Sequence, residues 1–146
     1  MESELLSNYE QASAWTLEHV KGATEQMEAP TPDDDWDVRA LLNHMLDTSR
    51  YFVNAARGDD ATLPAAPPPD LISDNPIADF ERARRDTIDT FSQPGVIEKT
   101  MPSLGIAFSD QLLHGWDLAV ATGQDARMPD GLAEAAYEMI HGRFTP

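Results

Sequence analysis

The chain of 146 residues carries 26 acidic and 10 basic residues, a formal net charge of −16, and no cysteine. Its length predicts a single domain over residues 1–146 that is large enough to bury its own core. Disulfides and cysteine-based zinc sites are excluded, so any metal site must use His, Asp or Glu side chains. The strong negative charge argues against nucleic acid as a partner, because phosphates require a basic surface.

The N-terminal residues lack the features of a targeting segment. Met1-Glu2-Ser3-Glu4 is not a basic stretch followed by an apolar run, as a signal peptide would be. Elsewhere no apolar stretch reaches the length that a membrane span needs. We therefore expect a cytoplasmic protein that acts on a small molecule and does not contact a membrane. A homodimer is compatible with this interpretation.

Helical periodicity dominates the first 58 residues. The first predicted helix runs from about Ser3 to Met27, and Pro30 and Pro32 follow it. The second runs from Asp37 to Arg57, with Asp37 as a plausible N-cap and Gly58 as a C-terminal stop. Both helices carry apolar residues at the spacing expected for one buried face.

A long proline-rich connection separates the second helix from the rest of the chain. Residues 59–75 contain Pro64 and three consecutive prolines at 67–69, a composition typical of a loop. A third helix is predicted over Pro76–Phe91, a loop over 96–104, a fourth helix over Gly105–Thr122 and a shorter fifth helix over Pro129–Ile140. The sequence thus predicts an all-α protein, a four-helix bundle with a long crossover between helices 2 and 3 and a short C-terminal helix.

The fourth predicted helix carries a narrow polar strip. At 100° per residue, Asp110, His114 and Asp117 align on one side, and most other directions are apolar. Such a helix is usually buried, so the strip is either a thin solvent-facing line or a site inside the bundle. Asp110 and His114 are one turn apart and could bind a single ion, with Asp117 orienting the imidazole or solvated. Trp116 points about 160° away from His114 and is expected to pack in the core or against another helix.

A third protein ligand would have to come from another element. The same Asp-x-x-x-His pair is common on exposed helix faces, so the pair alone does not establish a metal site. Among the remaining histidines, His19 is expected to be partly buried and hydrogen-bonded, and His141 to be solvated. His44 lies off the centre of the apolar stripe of the second helix, and periodicity alone does not place it inward.

Two segments resemble a known family. Trp36–His44 (WDVRALLNH) resembles the second-helix signature of the DinB-like metal-binding bundles. His114–Gly123 (HGWDLAVATG) resembles the fourth-helix signature of the branch that includes the N-terminal domain of mycothiol-dependent maleylpyruvate isomerase. The resemblance covers essentially the whole chain, including the order of the helices and the long connection.

The resemblance implies a set of metal ligands. In this family the second helix provides one histidine, and the fourth provides a ligand four residues before a second histidine. These positions are His44, Asp110 and His114. The isomerase has a glutamate, and classical DinB proteins a histidine, where this chain has the shorter Asp110. Relatives of this branch usually continue for some tens of residues, so a truncated C-terminus fits the pattern.

Three protein ligands leave an open position for water or substrate, as in catalytic sites. Zinc is the preferred ion, and nickel, iron(II) and manganese also fit nitrogen and oxygen donors. The resemblance implies activation of a low-molecular-weight thiol such as mycothiol or bacillithiol, for transfer or isomerisation, and the thiol must be external in a chain without cysteine. The alternatives are metal-assisted hydrolysis, a non-catalytic metal- or ligand-binding module, and a structural bundle without metal.

Overall fold

Six helices form the framework of the computed structural model, which describes residues 2–33, 35–100 and 103–144, with side chains described for 4–138 within these ranges. Within them the only β-type pairing is an isolated bridge between Pro30 and Asp37, so the all-α prediction is confirmed. No helix in the described ranges has the length and apolar character needed to cross a membrane. The helices are α1 (Glu2–Lys21), α2 (Val38–Arg57), α3 (Pro76–Phe91), α4 (Val96–Lys99), α5 (Ser103–Ala121) and α6 (Leu132–Phe144).

The ends of α2 and α3 follow directly from their capping residues. Asp37 Oδ1 accepts a hydrogen bond from the backbone N–H of Ala40 at 2.9 Å, which satisfies a free donor in the first turn. Gly58 ends α2 at φ 79°, a left-handed conformation that favours glycine. Asn75 caps α3 in the same way as Asp37 caps α2, and Pro76 occupies the first turn. The predicted bounds of these two helices are confirmed to within one residue.

Other boundaries differ from the sequence prediction. The first helix ends at Lys21 and not at Met27, because the chain turns at residues 22–25. The segment that follows returns toward α2, and the Val38 N–H donates a hydrogen bond to the Ala29 carbonyl. The predicted loop over 96–104 contains the short helix α4. The last two helices are each shifted from their predicted bounds by one to four residues at either end, where helix termini commonly fray.

The bundle proper consists of α1, α2, α3 and α5. Helix α5 packs against both α1 and α2, and α3 also contacts both of those helices. Tyr9, Phe91 and Phe108 belong to one buried apolar cluster, and Leu41 and Leu118 belong to the other. Because α5 lies between α1 and α2, side chains on two sides of this one helix are covered by protein.

The long connection is fixed to α2 by two buried polar side chains. Asn43 Oδ1 accepts hydrogen bonds from the backbone N–H groups of Leu71 and Ile72 at 2.7 and 2.9 Å. One turn later, Asp47 Oδ2 accepts from the Ala65 N–H at 2.9 Å. These bonds give three backbone N–H groups of the crossover hydrogen-bond partners on α2.

A close approach between α1 and α5 depends on Gly115. A Cβ atom at this position would lie 2.5 Å from Thr16 Oγ1 and 2.7 Å from Trp15 Cζ3. Thr16 Oγ1 also donates to the Gln111 carbonyl at 3.0 Å, so a partly buried hydrogen bond joins the two helices at the same level. This contact fixes the position of α5 one residue away from His114.

Candidate metal centre

The polar strip of α5 lies inside the bundle. The side chains of His114, Asp117 and Asp110 are 13%, 15% and 25% exposed, respectively. The large apolar residues on another side of the helix are instead solvent-exposed, which contradicts the expectation that the rest of α5 is buried. They are Ile106 (41%), Leu113 (56%), Trp116 (40%) and Val120 (45%).

The sequence predicts that Trp116 packs in the core or against another helix. The core prediction is wrong, because the side chain is 40% exposed. Its side chain borders a shallow surface cleft formed with residues 126–134, between α5 and the start of α6. The reason is the position of α5, which has α1 and α2 on two sides and contacts α6 over a smaller area. The periodicity of α5 alone does not indicate which apolar side lacks a neighbouring helix.

His44 projects from α2 toward the polar strip of α5. The ring centroids of His44 and His114 are 5.0 Å apart and the rings are nearly perpendicular, at 81°. One donor atom from each of His44, Asp110 and His114 lies within 4.8 Å of the other two. Donors that bind one zinc ion at about 2.1 Å are at most about 4.2 Å apart, so small side-chain rotations would suffice to share an ion. The residues present therefore fit a divalent metal.

His114 is placed between two carboxylates of its own helix. Its Nε2 lies 3.2 Å from Asp110 Oδ1, and its Nδ1 lies 3.4 Å from Asp117 Oδ2. The second contact has the distance of an ion pair without the alignment of a hydrogen bond, so Nδ1 is buried without a hydrogen-bond partner among the described residues. Burial alone would lower the pKa of His114, but the hydrogen bond and charge of Asp110, together with Asp117, outweigh it and raise the pKa above its usual value. The pKa of Asp117 is also raised, because its burial outweighs the attraction of His114.

His44 has the opposite electrostatic character. Burial, and then the neighbouring His114, lower the pKa of His44 below its usual value, so the neutral ring with a free lone pair is favoured. Its Nε2 lies 3.5 Å from Thr48 Oγ1, the outer limit for a hydrogen bond. Its Nδ1 is buried without a hydrogen-bond partner in the described part of the chain. A buried, unsatisfied nitrogen is uncommon in folded proteins, and a metal ion is one of its ordinary explanations.

Two further residues contact His44, and a third acts on the centre by its charge; the sequence predicts none of them as a ligand. The Trp36 ring packs on His44 with a centroid separation of 4.5 Å. Thr48 follows His44 by one helical turn, so its proximity could have been predicted from spacing. The charge of Asp33 acts on both His44 and Asp117, an electrostatic effect that depends on the path of the loop before α2 and has no local signal in the sequence.

The sequence predicts that the other two histidines, His19 and His141, are not metal ligands. His19 is buried, and its two ring nitrogens contact the carbonyl oxygens of Trp15 and Asp125 at 2.8 and 2.7 Å. The expectation of a partly buried, hydrogen-bonded histidine is therefore confirmed. The side chain of His141 lies outside the described residues.

Comparison with known proteins identifies relatives over most of the chain. A family model described as the mycothiol maleylpyruvate isomerase N-terminal domain matches residues 9–119, a range that includes all three candidate ligands. Two proteins of Mycobacterium tuberculosis, uncharacterized protein MT0763 (strain CDC 1551 / Oshkosh) and uncharacterized protein Rv0738 (strain ATCC 25618 / H37Rv), are each 29% identical over 119 residues. The match covers 75% of this chain and 62% of each relative, so the chain spans less than two thirds of the length of these proteins. No solved structure shows a significant match.

Proposed function

Because this chain belongs to the mycothiol maleylpyruvate isomerase N-terminal domain family, we propose that it binds one divalent metal ion through His44, Asp110 and His114. We further propose that the ion activates a low-molecular-weight thiol of the mycothiol or bacillithiol type for transfer or isomerisation. The observation that carries the metal site is the convergence of one donor atom from each of these residues, from two helices, within 4.8 Å.

The donor set supports the choice of ion and leaves room for a substrate. Two imidazoles and one carboxylate suit zinc first, and nickel, iron(II) and manganese remain compatible. Asp110 is shorter than the glutamate of the isomerase, but its Oδ1 lies 3.2 Å from His114 Nε2, which supports a role for both atoms at one ion. A bound ion supplies Lewis acidity, which favours the deprotonated form of a thiol substrate.

The protein itself contributes positioning. Asp117 faces His114 Nδ1 and can hold the ring once that nitrogen carries the proton, as carboxylates next to metal-binding histidines commonly do. The Trp36 ring packs against the His44 ring and helps to hold the imidazole in place. The chain contains no cysteine, so the reacting thiol must be an external molecule.

Metal analysis of untagged protein tests the first part of the proposal. We expect about one divalent ion per chain in the wild-type protein and in an Asp110→Glu variant. We expect its loss in His44→Ala and His114→Ala, because two remaining ligands compete poorly with water. The matched control is His141→Ala, a histidine outside the proposed triad. Full metal content in folded His114→Ala protein would contradict the assignment.

Activity assays test the second part separately. The metal-loaded protein would be combined with a panel of low-molecular-weight thiols and electrophiles that includes maleylpyruvate, epoxides and chlorinated aromatics. We expect consumption of thiol that requires the metal and is absent from His44→Ala. If the metal binds but no thiol is bound or consumed, the thiol proposal fails, and metal-dependent hydrolysis and a non-catalytic binding module become the hypotheses to test.

A further inference from the structure

A second cavity lies between α2 and α3, on the side of α2 that faces away from His44. Its volume is about 280 Å³, near the lower end of the range for small-molecule sites. Leu46 and Val53 line it, and on an ideal helix they project about 160° and about 180° away from His44. This α2–α3 groove is therefore separate from the candidate metal centre.

The groove combines an apolar lining with a basic rim. Leu46 and Val53, which are only 9% and 8% exposed, contribute apolar surface. Arg50, Arg57 and Arg82 also line it, although the chain has only 10 basic residues and a net charge of −16. Aspartates line the same groove, so its local charge is mixed and the arginines do not by themselves select an anion.

The three arginines differ in how far they are already neutralised. Arg50 is paired with the buried Asp47 at 2.8 Å. Arg82 lies 3.9 Å from Asp79, which also accepts hydrogen bonds from the backbone N–H and hydroxyl of Ser73.

Arg57 is the uncompensated cation of the groove. It donates through Nε to Thr90 Oγ1 at 3.1 Å, and within the described ranges it has no ion pair. This hydrogen bond orients the guanidinium, and its terminal nitrogens remain without a protein partner among the described residues. An oriented guanidinium of this kind matches the two oxygens of a carboxylate.

We propose that the α2–α3 groove binds a small organic monocarboxylate, with its carboxylate on Arg57 and its apolar body against Leu46 and Val53. Ser49 and Asn54 also line the groove, and neither side chain has a hydrogen bond to the described residues, so both can contact the ligand. Asp79 and Asp86 on the same rim would repel a second negative charge. A singly charged acid with an apolar body is therefore favoured over phosphate or a dicarboxylate.

Benzoate is a suitable probe, with binding followed by amide chemical shifts of isotopically labelled full-length protein. We expect saturable shifts at residues of the groove with wild-type protein and with His114→Ala, because the site does not depend on the metal centre. Benzyl alcohol, which lacks the charge, and inorganic phosphate, which lacks the apolar body, should not produce the same saturable shifts.

The variants separate a specific contact from general charge. Arg57→Gln should weaken benzoate binding roughly tenfold or more, since hydrogen bonds to a charged group contribute about 1.5–3 kcal/mol. Arg57→Lys should recover only part of that loss, because a lysine lacks the planar fork. Arg85→Gln is the matched control, because this exposed arginine of α3 does not line the groove and its loss should leave binding unchanged.

Three results would overturn the proposal. The first is the absence of saturable shifts in the groove of the wild-type protein. The second is unchanged benzoate affinity in a folded Arg57→Gln variant. The third is an equal loss of affinity in Arg85→Gln, which would indicate non-specific attraction of the anion. If Arg57→Gln does not fold, Arg82→Gln, at an exposed position on the same rim, replaces it with a smaller expected loss of affinity, and an unchanged affinity there would likewise count against the site.

Discussion

The side of α5 that faces α1 and the side that faces α2 are built in opposite ways. Toward α1, Gly115 lets the backbones approach until a Cβ would overlap Thr16, and the Thr16 hydroxyl is hydrogen-bonded across the contact. Toward α2, the space is filled by imidazoles and carboxylates, and ring nitrogens of His44 and His114 are buried without hydrogen-bond partners among the described residues.

The difference indicates a division of roles between the two contacts. The α1 contact satisfies its polar groups and leaves little space, so it fixes the position of α5. The α2 contact retains ring nitrogens without hydrogen-bond partners among the described residues, and local departures from full hydrogen bonding are expected at functional sites. His114 and Gly115 are adjacent in sequence and point to different helices, so one short motif determines both contacts.

The largest expected effect is on the α1 contact. Gly115→Leu should lower the free energy of unfolding by about 3 kcal/mol, because the added side chain meets Thr16 and Trp15 in a closely packed region. Gly115→Ala should cost about 1–2 kcal/mol, although alanine is the better helix former by about 1 kcal/mol. Urea denaturation measures both values.

A double variant provides the control for this effect. Thr16→Ala removes the hydroxyl that lies 2.5 Å from the added Cβ, so it should cost less in the Gly115→Ala background than in the wild-type protein. Strictly additive changes, or a stabilised Gly115→Ala protein, would show that the close approach does not determine the packing of α5.

The next effect concerns the α2 contact. Asp117→Asn should weaken metal binding roughly 10–100-fold while the stoichiometry stays near one, because in our proposal the carboxylate orients His114 and does not bind the ion. Competition with a coloured chelator measures the affinity. Asp125→Asn, at an exposed position outside the centre, is the matched control. Loss of stoichiometric binding in Asp117→Asn would instead indicate that Asp117 is itself a ligand.

The opposite pKa shifts of the two histidines predict the pH dependence of metal binding. Ligands must be deprotonated, and the pKa of His114 is raised above its ordinary value of about 6.5. Affinity should therefore begin to fall above pH 6.5 as the solution is acidified, by up to about tenfold per pH unit for one displaced proton. The lowered pKa of His44 keeps that ring available to lower pH.

The same shift makes a prediction for the metal-free protein. A raised His114 pKa contributes stability that is fully present below the unfolded value of about 6.5 and is lost as pH rises through the folded value. The lowered His44 pKa has the opposite effect, so it makes the folded state less stable as pH falls.

The pH dependence of metal affinity is tested by chelator titrations between about pH 6 and 8.5. An affinity that stays constant down to pH 6.5 in wild-type protein would contradict it.

The sequence predicts the polar side of α5 better than its apolar side. Helical spacing is sufficient to align Asp110, His114 and Asp117, because they belong to one helix. Bringing His44 to them requires the packing of α2 on α5, which the family resemblance implied and periodicity did not. The positions of α1, α2 and α6 decide which apolar residues of α5 are buried. Periodicity does not give these positions, so the predicted burial of Trp116 in the core is wrong.

The exposed apolar side of α5 gives the smallest predicted effects. Trp116→Ala should cost about 1–2 kcal/mol, well below the 3–5 kcal/mol of a fully buried aromatic ring, because the side chain is already 40% exposed. Leu113 is 56% exposed, so Leu113→Ala should change stability by no more than about 0.5 kcal/mol. Metal stoichiometry should be unchanged in both, since neither side chain borders the candidate metal centre. A loss above about 3 kcal/mol in Leu113→Ala would mean that this side of α5 is covered in solution, by a second copy or another partner, and the exposed side would then have to be described as an interface.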